Sequence, residues 1–327
     1  MASTRRRCSP TTPACAGVAH HAELIRLLLE RGADPNDNET PYHTPETYDN
    51  GALKVLVESG KLNHDSLATM LLRKHDWHDY HGIQWLLDHD ADPNRMTRWL
   101  RTPFQHAILR DNDIKIIEAL LDHGANSQTA VAMAARRGRG DVLESLERRG
   151  IPIALDGVER LLAACARNDA AAVRSIADGE PGLVREIVAE GGKLLSEFAG
   201  VGNVDGVRHL LDLGVDAGAR FREGDGCWDV AKDSTALHVA AWRARHSTVK
   251  LLIERSAPVD APDGKGRTAL TLGVRACVDS YWADRRSPDS VAALLHAGAS
   301  VSGVAFPSGY GKWTAAWPIP NRGVARG

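Results

Sequence analysis

The chain has 327 residues, 43% hydrophobic and 25% charged, an ordinary composition for a globular protein but longer than one compact core needs. Forty basic residues stand against forty-two acidic ones, a net charge of −2, so no global basic field exists to hold a nucleic acid. Five cysteines at 8, 15, 165, 227 and 277 have irregular spacing and no CxxC, which argues against a disulfide framework or a zinc ribbon and for a reducing, cytoplasmic setting.

Read from the start, Arg5–Arg7 are followed by "CSPTTPACAG" with no apolar stretch, so no export signal is expected, and residues 1–11 read as a disordered tail. No run of eighteen apolar residues occurs, and no membrane span is expected. From residue 12 to about 310 the chain repeats itself. "IRLLLERGADPND" at 25–37 returns, more or less degraded, at 53–65, 83–95, 117–129, 142–154, 173–185, 207–219, 249–261 and 291–303. The residue closing each apolar run falls at 32, 60, 90, 124, 149, 179, 214, 256 and 298, with glycine at 32, 60, 124, 214 and 298. Glycine there suits a left-handed helix end. A second motif precedes several copies: "TPFQHAILRDND" at 102–113, "TALHVAAWRARH" at 235–246 and "TALTLGVRACVD" at 268–279. Threonine fits a helix N-cap, and Pro103 fits the first helical position. Each unit is therefore a short helix, a turn, a second short helix and a polar loop. Helices this short are marginal alone, so doublets such as Leu28–Leu29, Leu120–Leu121, Leu210–Leu211 and Leu294–Leu295 must bury against a neighbouring copy.

These residues resemble the ankyrin repeat, whose unit begins T-P-L-H-x-A. Thr235 to Ala241 followed by Val249 to Ile253 is the best match, and Thr102 to Ala107 with Ile116 to Asn126 is next. The resemblance implies an all-α solenoid of about nine helix-turn-helix units with hairpin loops, weak between 130 and 200. It also implies that His238 is structural, bonded to its own threonine-led turn. Two intervals stretch to 42 residues: "RFREGDGCWDVAKD" at 220–233 lengthens a hairpin loop, and "CVDSYWADRRSPDS" at 277–290 separates two helices. Insertions in a repeat array map to exposed loops, often on the binding side. Residues 311–327 carry no second-helix doublet and are expected to be disordered or loosely packed.

The densest chemistry is "RKHDWHDYHG" at 73–82, three histidines and two aspartates in ten residues. It falls where a first helix ends and the second begins. His75, His78 and His81 would share a face if the helix continued, but Gly82 suggests an interrupting turn, HExxH is absent, and no distant ligand is identifiable. The stretch reads as an exposed polar recognition surface, with a metal site, and an enzyme built on it, as the alternative. "GKGRT" at 264–268 lacks P-loop spacing and reads as a tight turn before Thr268. Cys227, between acidic neighbours, is a poor nucleophile. Trp85 occupies a second-helix core slot, whereas Trp77, Trp99, Trp228, Trp242 and Trp282 fall where the repeat core does not need an aromatic. The function expected is a non-enzymatic, monomeric protein-interaction scaffold with no cofactor and no metal. It would bind an unidentified protein partner, neither nucleic acid nor membrane, through its concave face and hairpin loops. Contact residues would be His75, Trp77, His78, Asp79, Tyr80, Arg98, Trp99, Trp242 and Arg243. A regulatory or effector subunit that positions another protein's activity is the remaining alternative.

Overall fold

A computed structural model describes residues 16–304 apart from 18, 129, 281, 283 and 284. The expected disorder at 1–11 and 311–327 lies outside the described residues, as does the side chain of Cys227. Contacts group the chain into two compact units. The first runs to Met133 and takes in Ser145–Ile153; the second comprises Ala134–Glu144 and everything from Ala154 onward.

The first unit is two layers of helices joined by polar turns. Helices α1 (Ala22–Glu30), α3 (Gly51–Glu58), α5 (Tyr80–Leu87) and α7 (Ile114–Asp122) are the second helices of successive repeats; α2 (Thr40–His43), α4 (His64–His75) and α6 (Pro103–Leu109) are first helices. First helices stack on first helices, α2 on α4 and α4 on α6, while α1 packs on α3 and α5 on α7. Helices α8 (Val131–Arg136) and α9 (Gly140–Arg148) contribute residues to both units. In the second unit the first helices α13 (Gly191–Val201), α15 (Ala236–Trp242) and α17 (Ala269–Asp279) form one layer, and α14 (Val204–Asp212), α16 (His246–Glu254) and α18 (Asp289–His296) the other.

Sequence dictates this layering through a narrow apolar stripe. Relative to the helix-ending left-handed residue, positions seven and four earlier are buried: Leu53 and Leu56, Ile83 and Leu86, Ile117 and Leu120, Val207 and Leu210, Val249 and Leu252, Val291 and Leu294 are all at most 1% exposed. In the doublets Leu28–Leu29, Leu120–Leu121, Leu210–Leu211 and Leu294–Leu295 one member is core and its neighbour half-buried. Two apolar positions per helix suffice because each helix needs cover on one side only.

Left-handed residues terminate second helices at 32, 60, 90, 124, 150, 214, 256 and 298. Two of the sequence anchors depart. The one at 149 falls a residue early, before Gly150. The one at 179 is no hairpin: α11 (Ala170–Gly179) meets an extra helix, α12 (Pro181–Ala189), whose proline sits at the first helical position. Helix α12 packs on α10 (Gly157–Ala166), α11 and α13, which accounts for the faint periodicity there.

Neither insertion is a free loop. The first folds into a ribbon in which β1 (Arg220–Phe221) pairs antiparallel with β2 (Ser234–Thr235), closed by a short 3-10 turn at Gly226–Trp228. Trp228, 2% exposed, stacks on Trp282 of the second insertion with ring centroids 5.0 Å apart. Together with Phe221, Val230 and Val239 they form a small core of their own.

Candidate functional site

In the first unit, polar side chains link consecutive repeats on two levels. At the hairpin turns, the asparagine of each "ADPN" bridges to the next repeat. Asn36 Nδ2 donates to Lys61 O at 3.0 Å while its Oδ1 accepts from Asn63 N at 2.9 Å; Asn94 does the same to Gly124 O (2.8 Å) and Asn126 N (2.6 Å). A primary amide carries one donor and one acceptor side, so a single asparagine satisfies both backbone groups.

At the inter-helix turns lies "RKHDWHDYHG", and it is largely interior. His75 is fully buried at the end of α4, its Nδ1–H donating to Leu71 O at 2.7 Å. Burial, then the neighbouring His106, push its pKa down to about 3. Asp76, 8% exposed, accepts from His106 Nε2 at 2.8 Å and from Arg73 and Arg110. Burial alone would raise its pKa, but the bond from His106 and the two guanidinium charges hold the carboxyl well below the usual range. Burial likewise lowers His106, against the raising effect of its bond to Asp76. Asp79 caps α5 by accepting from Gly82 N at 3.1 Å, and also accepts from Asn50 Nδ2 and Lys74 Nζ, each at 2.9 Å. Lys74, itself fully buried, donates on to the carbonyls of Pro45 and Thr47. Asn112 reaches back to His75 O at 2.9 Å and His78 Nδ1 at 3.1 Å. This network joins the repeats around α2, α4 and α6, and its charges are paired.

Four expected contact residues are accordingly corrected. His75 and Asp79 are buried in this junction. In the second unit Trp242, 1% exposed, donates from Nε1 to Trp228 O at 2.7 Å, and Arg243, 3% exposed, lies 5.0 Å from the Trp228 ring. The insertion at 220–233 covers both, so neither can meet a partner. Among the described residues no three His, Cys, Asp or Glu side chains are placed to hold an ion. His75 and Asp79 missed their places for a legible reason. His75 continues the buried stripe of Ala68, Leu71 and Leu72, and Asp79 stands three before Gly82, where an N-cap belongs. Trp85 errs the other way: it is half-buried, stacked on His89 at 3.8 Å on the outer side of α5.

Trp77, His78, Tyr80, Arg98 and Trp99 retain surface. Trp77 is half-buried edge-on against Tyr48, and Tyr80 lies beneath Lys115. Arg98, exposed, sits 4.4 Å over Trp99 and 5.6 Å from Tyr42 of α2, whose ring also takes Arg73 at 4.1 Å. The sequence did not single out Tyr42; its place in "TPYH", after a threonine and proline, was the available signal. Beside this aromatic and arginine cluster is a groove of about 400 Å³ lined by Asn36, Pro41, Asn63, Ser66, Met96 and Arg98 among others.

The second unit contains the structural histidine. His238 Nε2–H donates to Arg267 O at 3.0 Å, so its Nδ1 is the acceptor for Thr235 N at 3.1 Å. Both ring nitrogens are used in the neutral form, and burial, the leading cause, lowers its pKa. Asp229 gathers Lys265, Arg267 and Arg275. Burial would raise its pKa, yet these cations hold it below the usual carboxylate range. No helix among the described residues is long and apolar enough to cross a membrane.

Stacked helical pairs with inter-repeat amide bridges and a threonine-led first helix define a helical-repeat protein. Residues 70–121 match the family description "Ankyrin repeats (many copies)", and residues 232–264 match "Ankyrin repeat". Over these stretches the chain carries ankyrin repeats, which are in general protein–protein interaction modules. Among curated proteins, serine/threonine-protein kinase 12 of Arabidopsis thaliana is 39% identical over 79 residues, which are 24% of this chain and 15% of that protein's length. Among solved structures, the human ASB11 ankyrin repeat domain is similar at 18% identity with a TM-score of 0.29, covering 89% of this chain and 98% of that one.

Proposed function

We propose that the chain is a non-enzymatic interaction module of the cytoplasm that takes a protein partner on the first unit, along the groove and the turns beside it. The supporting observation is the Arg98, Trp99 and Tyr42 cluster at that groove, with Trp77, His78 and Tyr80 offering further surface on the same unit. Tryptophan, tyrosine and arginine are the side chains most enriched among energetic anchors of interfaces. A turn already fixed by its own hydrogen bonds loses little freedom when a partner docks. Truncating Trp99 to alanine is expected to weaken the partner by about 2 kcal/mol, roughly thirtyfold, with helicity unchanged. Quantitative affinity capture from native lysate, wild type against Trp99→Ala, measures this; an identical set of captured proteins at identical yield would remove the groove from the account. The short likeness to a kinase favours one variant of this reading, in which the module positions another protein's catalytic activity. That variant is tested by whether the captured partner's turnover changes on binding.

A further inference from the structure

Two residues before the threonine that opens a first helix, the backbone turns left-handed in four places. These are Asn38 before Thr40 (φ +66°), Leu100 before Thr102 (+55°), Asp233 before Thr235 (+58°) and Gly266 before Thr268 (+75°). The turns at 97–101 and 263–267 share their hydrogen bonds. Thr97 N donates to Arg101 O at 3.0 Å and Leu100 N to Thr97 O at 2.9 Å; Asp263 N donates to Arg267 O at 2.8 Å and Gly266 N to Asp263 O at 2.9 Å. Glycine, asparagine and aspartate tolerate this conformation, whereas a leucine Cβ crowds the following carbonyl oxygen. Leu100 is also 82% exposed, so burial does not explain it either. Several residues around it are exposed as well. Met96 is 56% exposed, and Arg98 and Arg101 are both exposed and enter no ion pair among the described residues. By contrast Arg95 is tied to Asp65 at 2.5 Å. A second bond from Thr97 Oγ1 to Arg101 O at 2.7 Å stiffens the turn that displays them.

We propose that the turn Thr97–Arg101 is a preformed anchor for an acidic, extended segment of a partner protein that carries an apolar side chain next to its carboxylates. The inference rests on the interaction reading above and gives that partner its chemistry. Neither guanidinium group enters an ion pair among the described residues, and each can donate two parallel hydrogen bonds to a carboxylate. Leu100, Met96 and the Trp99 ring cover the apolar neighbour. The near-neutral chain supplies no global basic field to hold a nucleic acid beyond these two arginines, whereas a short acidic segment needs no more than the turn offers.

The test is selection of random dodecapeptides displayed on phage against the whole chain, followed by affinities on Leu100→Gly and on the double variant Arg98→Glu, Arg101→Glu. The expected peptides carry Asp or Glu beside an apolar residue. They bind Leu100→Gly at least about tenfold and the charge-reversed variant at least about thirtyfold more weakly, with the thermal midpoint of Leu100→Gly not lowered. Neutral or basic peptides that still lose affinity on Leu100→Gly would overturn the acidic chemistry while leaving the groove as the docking place. Peptides indifferent to both variants would overturn the chemistry and the groove together. Binding of a single-stranded oligonucleotide, stronger than any peptide and lost on charge reversal, would replace the protein segment with a nucleic acid. A lowered midpoint for Leu100→Gly would make the leucine structural and end the proposal.

Discussion

The burial of His75 makes acid sensitivity of the first unit a quantitative expectation. In the unfolded chain an imidazole titrates near its ordinary value of 6.5; in the fold it stays neutral down to about 3, because burial and His106 oppose the charge and Nε2 meets no hydrogen-bond partner among the described residues. Between those values the unfolded state binds the additional proton. The contribution is therefore complete above 6.5, falls with pH through the window, and is gone below about 3. At about 1.4 kcal/mol per unit, the step from about pH 7 to about pH 5 removes about 2 kcal/mol. Replacing His75 with leucine removes the titrating group but keeps an apolar side chain of similar bulk. Losing the bond to Leu71 O costs about 1 kcal/mol at every pH, so the slope rather than the offset is the readout. Urea unfolding of both proteins at the two pH values gives the slope. His238, buried in the second unit, contributes equally to both and cancels in the difference, whereas His106, coupled to His75, moves the difference in the same direction. His75→Leu is expected to lose about 2 kcal/mol less than the wild type on acidification; curves parallel to within about 0.5 kcal/mol would refute a buried, neutral His75.

Two further outcomes follow from the packing. Asn94→Ala removes both halves of an inter-repeat bridge and is expected to cost about 1 kcal/mol, the groups being exposed, and to speed hydrogen exchange at the Asn126 amide; unchanged exchange there would mean the bridge does not hold in solution. Trp228→Ala empties the small core shared by the two insertions, and a loss of about 3–5 kcal/mol is expected in the second unit. Exchange protection at 220–235 should fall with it; an unaffected midpoint would return the insertions to the status of free loops.

Most of the repeat frame could be read from the sequence because periodic burial leaves a periodic trace. Leucines four residues before a left-handed terminus, as at 56, 120 and 210, mark a helix that needs cover on one side. The frame blurred where composition did not change but connectivity did: Pro181 starts a helix, and a proline in a polar stretch announces a turn equally well. Polar residues were harder. "RKHDWHDYHG" looks like surface by composition, yet His75 and Asp76 are interior because Arg110 and His106 arrive from one repeat away, and distance along the chain conceals that pairing. The insertions were expected to project outward. Each does supply an aromatic the repeat core lacks, but Trp228 and Trp282 satisfy one another. Arg98 and Trp99 kept their expected exposure to different degrees, and the strain beside them at Leu100 is visible only in the backbone angles.

Placing a photo-crosslinking phenylalanine analogue at position 100 of the whole chain, and in a parallel variant at position 27, tests the interaction account most directly. Leu27, 46% exposed on the second helix α1, serves as the control. Irradiation in native lysate is expected to give a discrete adduct from position 100 that an acidic peptide selected on the turn suppresses, and none from position 27. Adducts of equal yield from both positions, or from position 27 alone, would contradict it.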